Sequence, residues 1–247
     1  MGVQHFSKVF TDDGKTNIEA QLKVIRLFPT FVQEEDRELF MSAYTLKEVE
    51  DVLKGFKKDK SPGPDGWPVE FYLHFFELVG QDILNVIEHS RLEGRVIGAL
   101  NATFITLIPK CDKPTTLAEY MPISLCNLIY KTISKLAAIR LKVVLDKAIS
   151  KHQFGFLHDR QIIELVGIVQ EVLHTIKTEN QQVMVLKLDL VKALDRVNWS
   201  FLRLVLLQIG ILGNYVNWIM GCVESANFVV LINGTPSNFF PMSRGII

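Results

Sequence analysis

Val183-Met184-Val185-Leu186-Lys187-Leu188-Asp189, continued by Leu190-Val191-Lys192-Ala193-Leu194-Asp195-Arg196-Val197-Asn198-Trp199, decides how this chain is read. The first seven residues form an apolar run of strand length that ends on a carboxylate. A strand that carries an Asp to the edge of a sheet is one way phosphoryl-transfer enzymes hold Mg²⁺. Asp195 follows six residues later, beyond the expected strand, and reads as structural, in an ion pair or a helix cap. No second strand with an acidic cluster precedes Ile247, so the sequence is expected to hold the beginning of such a centre.

Composition narrows the class. The 247 residues are 48% hydrophobic and 22% charged, ordinary for a globular protein of one or two domains. Lys and Arg total 27 and Asp and Glu total 27, which argues against a strongly basic binder of nucleic acid on bulk charge alone. The balance is local, however. Residues 101–160 hold nine Lys/Arg against four Asp/Glu, a surplus of five and a candidate basic face. Cys111, Cys126 and Cys222 form no CxxC pair, which points away from a disulfide framework or a zinc site. No apolar run approaches a membrane span, and no leader pattern opens the chain. The expected setting is intracellular, cytoplasmic or nuclear.

The pattern along the chain is mixed helix and strand. Residues 1–44 read as a weakly patterned lead-in with an acidic patch, Glu34-Glu35-Asp36. Thr45 and Glu48 make a capping box, and Leu46, Val49, Leu53 and Phe56 continue at helical spacing. Pro62-Gly63-Pro64-Asp65-Gly66 enforces a rigid turn, and a second amphipathic helix is expected over 69–86. Thr103 to Ile108 alternates as a half-buried strand. Helices are expected over 125–149, 161–178 and 199–209, and Asn233-Gly234 marks a hairpin turn after Phe228 to Ile232.

Five blocks in this order carry a family resemblance: Lys60 to Tyr72, Thr103 to Lys110, Pro122 to Lys131, Leu186 to Trp199 and Asn227 to Gly245. Together they resemble the reverse transcriptase of plant non-LTR, LINE-type retrotransposons. The resemblance implies an α+β, right-hand polymerase-like fold. It implies mostly helical fingers over 45–180 and a partial palm over 181–247, with an incomplete antiparallel sheet and no thumb. It also implies an RNA template, a DNA primer, a deoxynucleoside triphosphate and two Mg²⁺ ions. Oxygen ligands suit that hard cation, and Asp189 is then the first metal ligand and a catalytic residue. Lys110 falls where basic residues meet the incoming triphosphate. Gly63, Asp65 and Gly66 fall in a segment over the template, where glycines let backbone amides approach phosphates. Phe154, Phe156 and Arg160 fall in a second template segment, suited to stacking on single-stranded RNA.

Three positions depart from the family pattern. Met121 stands where the family usually has Arg, and a thioether offers neither charge nor N–H donor to a phosphate. Leu194 stands where an aromatic residue is expected to exclude the ribose 2′-OH. Asp159 precedes Arg160 where the pattern has Gly. The sequence also lacks the Ala-Asp-Asp turn that carries the family's remaining carboxylates, so the chain by itself is expected not to polymerise. Three readings remain open: part of an RNA-directed DNA polymerase, a non-catalytic nucleic-acid-binding module, and a retroelement relic without function. The six histidines show no metal-ligand spacing, the lysines of 54–60 read as a solvated helix end, and Phe75, Phe76 and Trp218 read as core.

Overall fold

The computed structural model describes residues 2–12, 14, 17–155, 161–190 and 192–246. The chain divides into two compact units, Met1–Ala138 with Lys192–Ile247, and Ile139–Val191. These limits differ from the expected boundaries at 44 and 180, because the residues before 44 pack into the same unit as those after 192.

The first unit is built on a sheet of β1 (Ala102–Pro109), β2 (Tyr120–Cys126), β3 (Asn227–Ile232), β4 (Thr235–Pro236) and β5 (Phe240–Pro241). The order is β2-β1-β3-β4, with β5 also paired to β3. β1 and β2 are antiparallel, Thr103 facing Cys126 and Ile108 facing Met121. β1 and β3 are parallel, Ile105 beside Val230. The sheet is therefore mixed, not antiparallel as expected. More than a hundred residues separate β1 from β3, the kind of long crossover that a parallel pair requires. No strand was expected at β2, whose last two residues were read into the helix over 125–149; β2 is an edge, where the N–H that Pro122 lacks is not needed. The hairpin at Asn233-Gly234 forms as read, with φ of 51° and 78° at its two turn residues.

One side of this sheet packs Ile105, Phe228, Val230, Phe240 and Met242 against Phe6 and Phe10. Those two phenylalanines belong to α1 (Gly2–Phe10), and Phe10 stacks on Phe228 with ring centroids 5.3 Å apart. The supposed lead-in is thus part of the core. It adds α2 (Ile18–Ile25) and α3 (Glu34–Met41), each too short to display a helical repeat in sequence. The acidic patch forms the first turn of α3, where negative charge suits the helix dipole, and the Asp36 carboxylate accepts the Gln33 N–H at 3.0 Å.

α4 (Leu46–Lys54) opens on the expected capping box: Thr45 Oγ1 accepts the Glu48 N–H, and the Glu48 carboxylate accepts the Thr45 N–H. The single helix expected next is two, α5 (Val69–His74) and α6 (Phe76–Glu93), broken at Phe75. α7 spans Leu128–Ala148, and after α8 (Ile162–Thr178) of the second unit come α9 (Trp199–Gln208) and α10 (Gly213–Glu224). Three polar anchors hold α10 inside the unit. Trp218 Nε1 donates to Ser90 Oγ at 2.9 Å, Tyr215 Oη to the Ala137 carbonyl at 3.0 Å, and Tyr130 Oη to the Cys222 carbonyl at 3.1 Å.

The second unit holds the end of α7, then α8 (Ile162–Thr178) and the segment 181–190. The strand expected over 183–189 does not form. Residues 181–190 join no ladder among the described residues and stand exposed, Met184 to 91%. An apolar run becomes a strand only when neighbouring backbone supplies its hydrogen bonds, and a continuous run does not name that neighbour. α8 likewise exposes Ile162, Ile163, Val169 and Val172. Among the described residues no helix is long and apolar enough to cross a membrane.

Candidate functional site

The two ends of the β1–β2 hairpin hold different groups of the expected site. At the first end, Ile108 faces Met121 and the Lys110 N–H donates to the Glu119 carbonyl at 2.8 Å. Lys110 and Met121 therefore stand at the same end of the hairpin, two residues apart in register. Lys110 is exposed, its Nζ reaching only the Ala118 carbonyl at 3.5 Å, and Met121 is 47% exposed. Glu119 caps its own 3₁₀ turn, Leu117–Glu119, and the Thr116 and Thr115 N–H groups lower the pKa of its carboxyl. Its charge is thus turned toward backbone amides.

The second end lies about 17 Å away, five residues along β2 at ~3.4 Å each. There Cys126 passes into Asn127, on which the Pro62 to Gly66 loop sits. Gly66 N–H closes the turn onto the Gly63 carbonyl at 3.0 Å, with Pro64 and Asp65 at its centre. Asn127 Oδ1 accepts the Asp65 N–H at 3.1 Å, and Asn127 Nδ2 donates to the Ala99 carbonyl at 3.2 Å. Gly63 is buried so tightly that a Cβ there would stand 2.4 Å from the Asn127 nitrogen. The glycine is needed for close packing on β2, a different reason from the phosphate approach expected of it. Asp65 Oδ1 accepts the Trp67 N–H at 3.1 Å. Burial raises the pKa of this carboxyl, while the Trp67 amide and the Lys131 charge pull it down.

This end also carries residues that the pattern reading passed over. Lys57, Lys60, Lys131 and Trp67 line one cleft beside Gly63 and Cys126. Phe75, expected in the core, is exposed, and Trp218 is buried as expected. The available signals were the 67, 71, 75 spacing of aromatics and the lysines clustered just before a rigid turn.

Leu194 opens the 3₁₀ helix Leu194–Arg196 and is 59% exposed. Its carbonyl accepts the Ile246 N–H at 3.1 Å, the Gly245 N–H donates to the Val197 carbonyl, and Trp199 Nε1 donates to the Gly245 carbonyl at 2.7 Å. Asp195 packs its backbone on Gly245 and caps no helix; the cap of α9 is Asn198, whose side chain accepts the Phe201 N–H. Asp189 is exposed in the second unit. Phe156 and Arg160 lie outside the described residues. Among the described residues no three His, Cys, Asp or Glu side chains gather where a metal could sit. One exposed carboxylate is not a Mg²⁺ site, since this ion demands near-octahedral oxygen ligation. The described residues alone do not fit the two ions.

Residues 108–246, more than half of the chain, match the family described as reverse transcriptase (RNA-dependent DNA polymerase), and the chain belongs to that family. It is 27% identical over 215 residues to the transposon TX1 uncharacterized 149 kDa protein of Xenopus laevis, covering 87% of this chain and 16% of that protein. It is 28% identical over 222 residues to the RNA-directed DNA polymerase from mobile element jockey of Drosophila melanogaster, covering 83% of this chain and 23% of that protein. The chain thus spans less than a quarter of the length of either relative.

Proposed function

We propose that this chain is a region of an RNA-directed DNA polymerase encoded by a non-LTR, LINE-type retroelement, and that it acts on an RNA template paired to a DNA primer. The observation that carries the reading is the family match over 108–246, which includes Lys110, Met121, Asp189 and Leu194. Relatives named from a transposon and a mobile element support the retroelement origin, and the five ordered sequence blocks support the plant affiliation. In this reading Lys110 meets the triphosphate, with Met121 at the same hairpin end, in the position usually taken by Arg. Leu194 occupies the sugar-gate position, and Asp189 is one of the carboxylates that ligate metal. Gly63, Asp65, Gly66 and Arg160 belong to the template side. The placement of Lys110 and Met121 at one hairpin end supports a shared nucleotide role for both positions.

The test is binding of a fluorescent RNA–DNA template–primer to the 247-residue chain across a salt series. The expected result is association at low salt that weakens steeply as salt rises, because phosphate contacts release counterions. No association at low salt overturns the reading. An Asp189→Asn variant with unchanged metal-dependent tightening of that binding would remove Asp189 from the metal site while leaving the family assignment in place.

A further inference from the structure

The cleft at the Asn127 end of β2 combines cationic and aromatic chemistry that folding itself does not require. Its volume is about 120 Å³, and Lys57, Lys60, Lys131 and Trp67 are among its lining residues. Sites for free small molecules are several times larger, about 300–1,000 Å³, so this cleft suits one unit of a polymer that continues past it. Lys57 and Lys60 are exposed and Lys131 is half-buried; none of the three forms a salt bridge among the described residues, although the Lys131 charge acts on the Asp65 carboxyl. The acids nearby also accept backbone amides. Glu70 accepts the Asp59 N–H at 2.7 Å, and Asp65 accepts the Trp67 N–H within its own turn.

Trp67 is the aromatic half of the arrangement. Its ring packs on Phe71, centroids 4.1 Å apart, and Phe71 in turn touches Phe75 at 5.1 Å. That support fixes the indole from behind, yet Trp67 remains 48% exposed. The Pro64 and Gly66 turn, held by Asn127, fixes the backbone that carries it. A supported, exposed indole beside lysines that form no salt bridge is the pattern of a single-strand platform, on which bases stack and phosphates meet cations.

We infer that Trp67 stacks on a base of single-stranded nucleic acid while Lys57, Lys60 and Lys131 contact the flanking phosphates. The inference rests on the proposed function and adds to it a named subsite and its ligand chemistry. Charge selects the ligand: the cleft is cationic and its free aromatic face is sequence-tolerant, so any base serves. Base stacking and phosphate contact are common to RNA and DNA strands, so both are expected to bind.

The chain is suited to a direct measurement. Of its three tryptophans, Trp218 is buried and Trp199 is half-buried with its N–H on the Gly245 carbonyl, which leaves Trp67 as the exposed one. Intrinsic fluorescence is followed while oligo(U) or oligo(dT) is added, each about 12 nucleotides long, within the ~4–16-nucleotide span of a single groove. The expected result is quenching by both strands, absent in Trp67→Ala. That variant is expected to bind about 5- to 100-fold more weakly with an unchanged salt slope, and Trp67→Phe to recover most of the affinity. Lys57→Ala/Lys60→Ala/Lys131→Ala is expected to flatten the log–log salt slope by about two to three. Near-ultraviolet circular dichroism confirms that each variant remains folded. Full-strength oligonucleotide binding by folded Trp67→Ala without quenching in the parent overturns the subsite while leaving the proposed function intact. Quenching by poly-glutamate but by neither oligonucleotide also overturns it, in favour of an acidic protein partner. Failure of template–primer binding in the earlier salt series instead removes the broader reading.

Discussion

A single methyl group decides how much the loop at Gly63 can tolerate. Added there as alanine, it would stand 2.4 Å from the Asn127 nitrogen and 2.5 Å from the Cys126 carbonyl carbon. Both obstacles are backbone, so no side-chain rotation relieves them. Gly63→Ala is expected to cost about 1–3 kcal/mol of stability through overpacking, read as a lower urea midpoint. Alanine at Gly234, where open space surrounds the ideal Cβ, meets only the positive-φ penalty of its turn and is expected to cost less. Equal losses at the two positions would show that the close packing on β2 is not what requires glycine at 63. At the same scale Met121 and Leu194 stand exposed, 47% and 59%, so neither departure from the family pattern is explained by burial.

Elements differ in whether their stabilising partners are near in sequence or far. Thr45 and Glu48 lie three residues apart and Asn233-Gly234 is a self-contained turn, so both were legible from sequence alone. β1 announced itself by alternation that survives in its burial, with Thr103 and Ile105 inside. The break at Phe75 left no Pro or Gly in the sequence to mark it, and α1 to α3 are too short for a periodicity to emerge. The segment 183–189 is the reverse case: its pattern reads as a strand, but a ladder depends on partners that the pattern does not specify. Hydrogen exchange separates these cases. Amides of residues 183–190 are expected to exchange without protection, whereas those of Phe228 to Val230, buried and paired, are expected to be among the slowest. Strong protection across 183–190 in the isolated chain would contradict the unpaired state. For the site, Lys110 and Met121 were recognised singly; their place at one hairpin end comes from its register. The Trp67 cleft was missed because two of its lysines sit in the loop after α4 and the third on α7.

On the alkaline side, stability depends on thiols and phenols buried in the first unit. Burial pushes the Cys222 thiol from 9.0 up to about 12, and burial together with Asp65 pushes the Tyr72 phenol up to about 12. Burial also raises Tyr130 and Cys126. In each case the folded protein favours the protonated, neutral form, so its pKa exceeds that of the unfolded chain. The stabilisation is complete below the unfolded value and is lost as pH climbs through the folded one. The urea midpoint is therefore expected to fall between about pH 9 and 12, and less steeply in Cys222→Ala. A midpoint that holds constant across that range would show these groups to be solvated.

The packing of α1 against the sheet has a consequence for synthesis on the ribosome. Phe6 and Phe10 find their partners in Phe228, Phe240 and Met242, and Arg244 Nε donates to the Val9 carbonyl across 235 positions of chain. At ~5–20 residues per second, α1 has left the peptidyl-transferase centre roughly 10–50 s before those partners are made. Throughout that interval its two phenylalanines are sticky bait for any holdase that patrols nascent chains. Folding of the sheet core thus waits until Phe228, Phe240 and Met242 have been made, and a nascent chain stalled before residue 227 would carry α1 with nothing native to close upon.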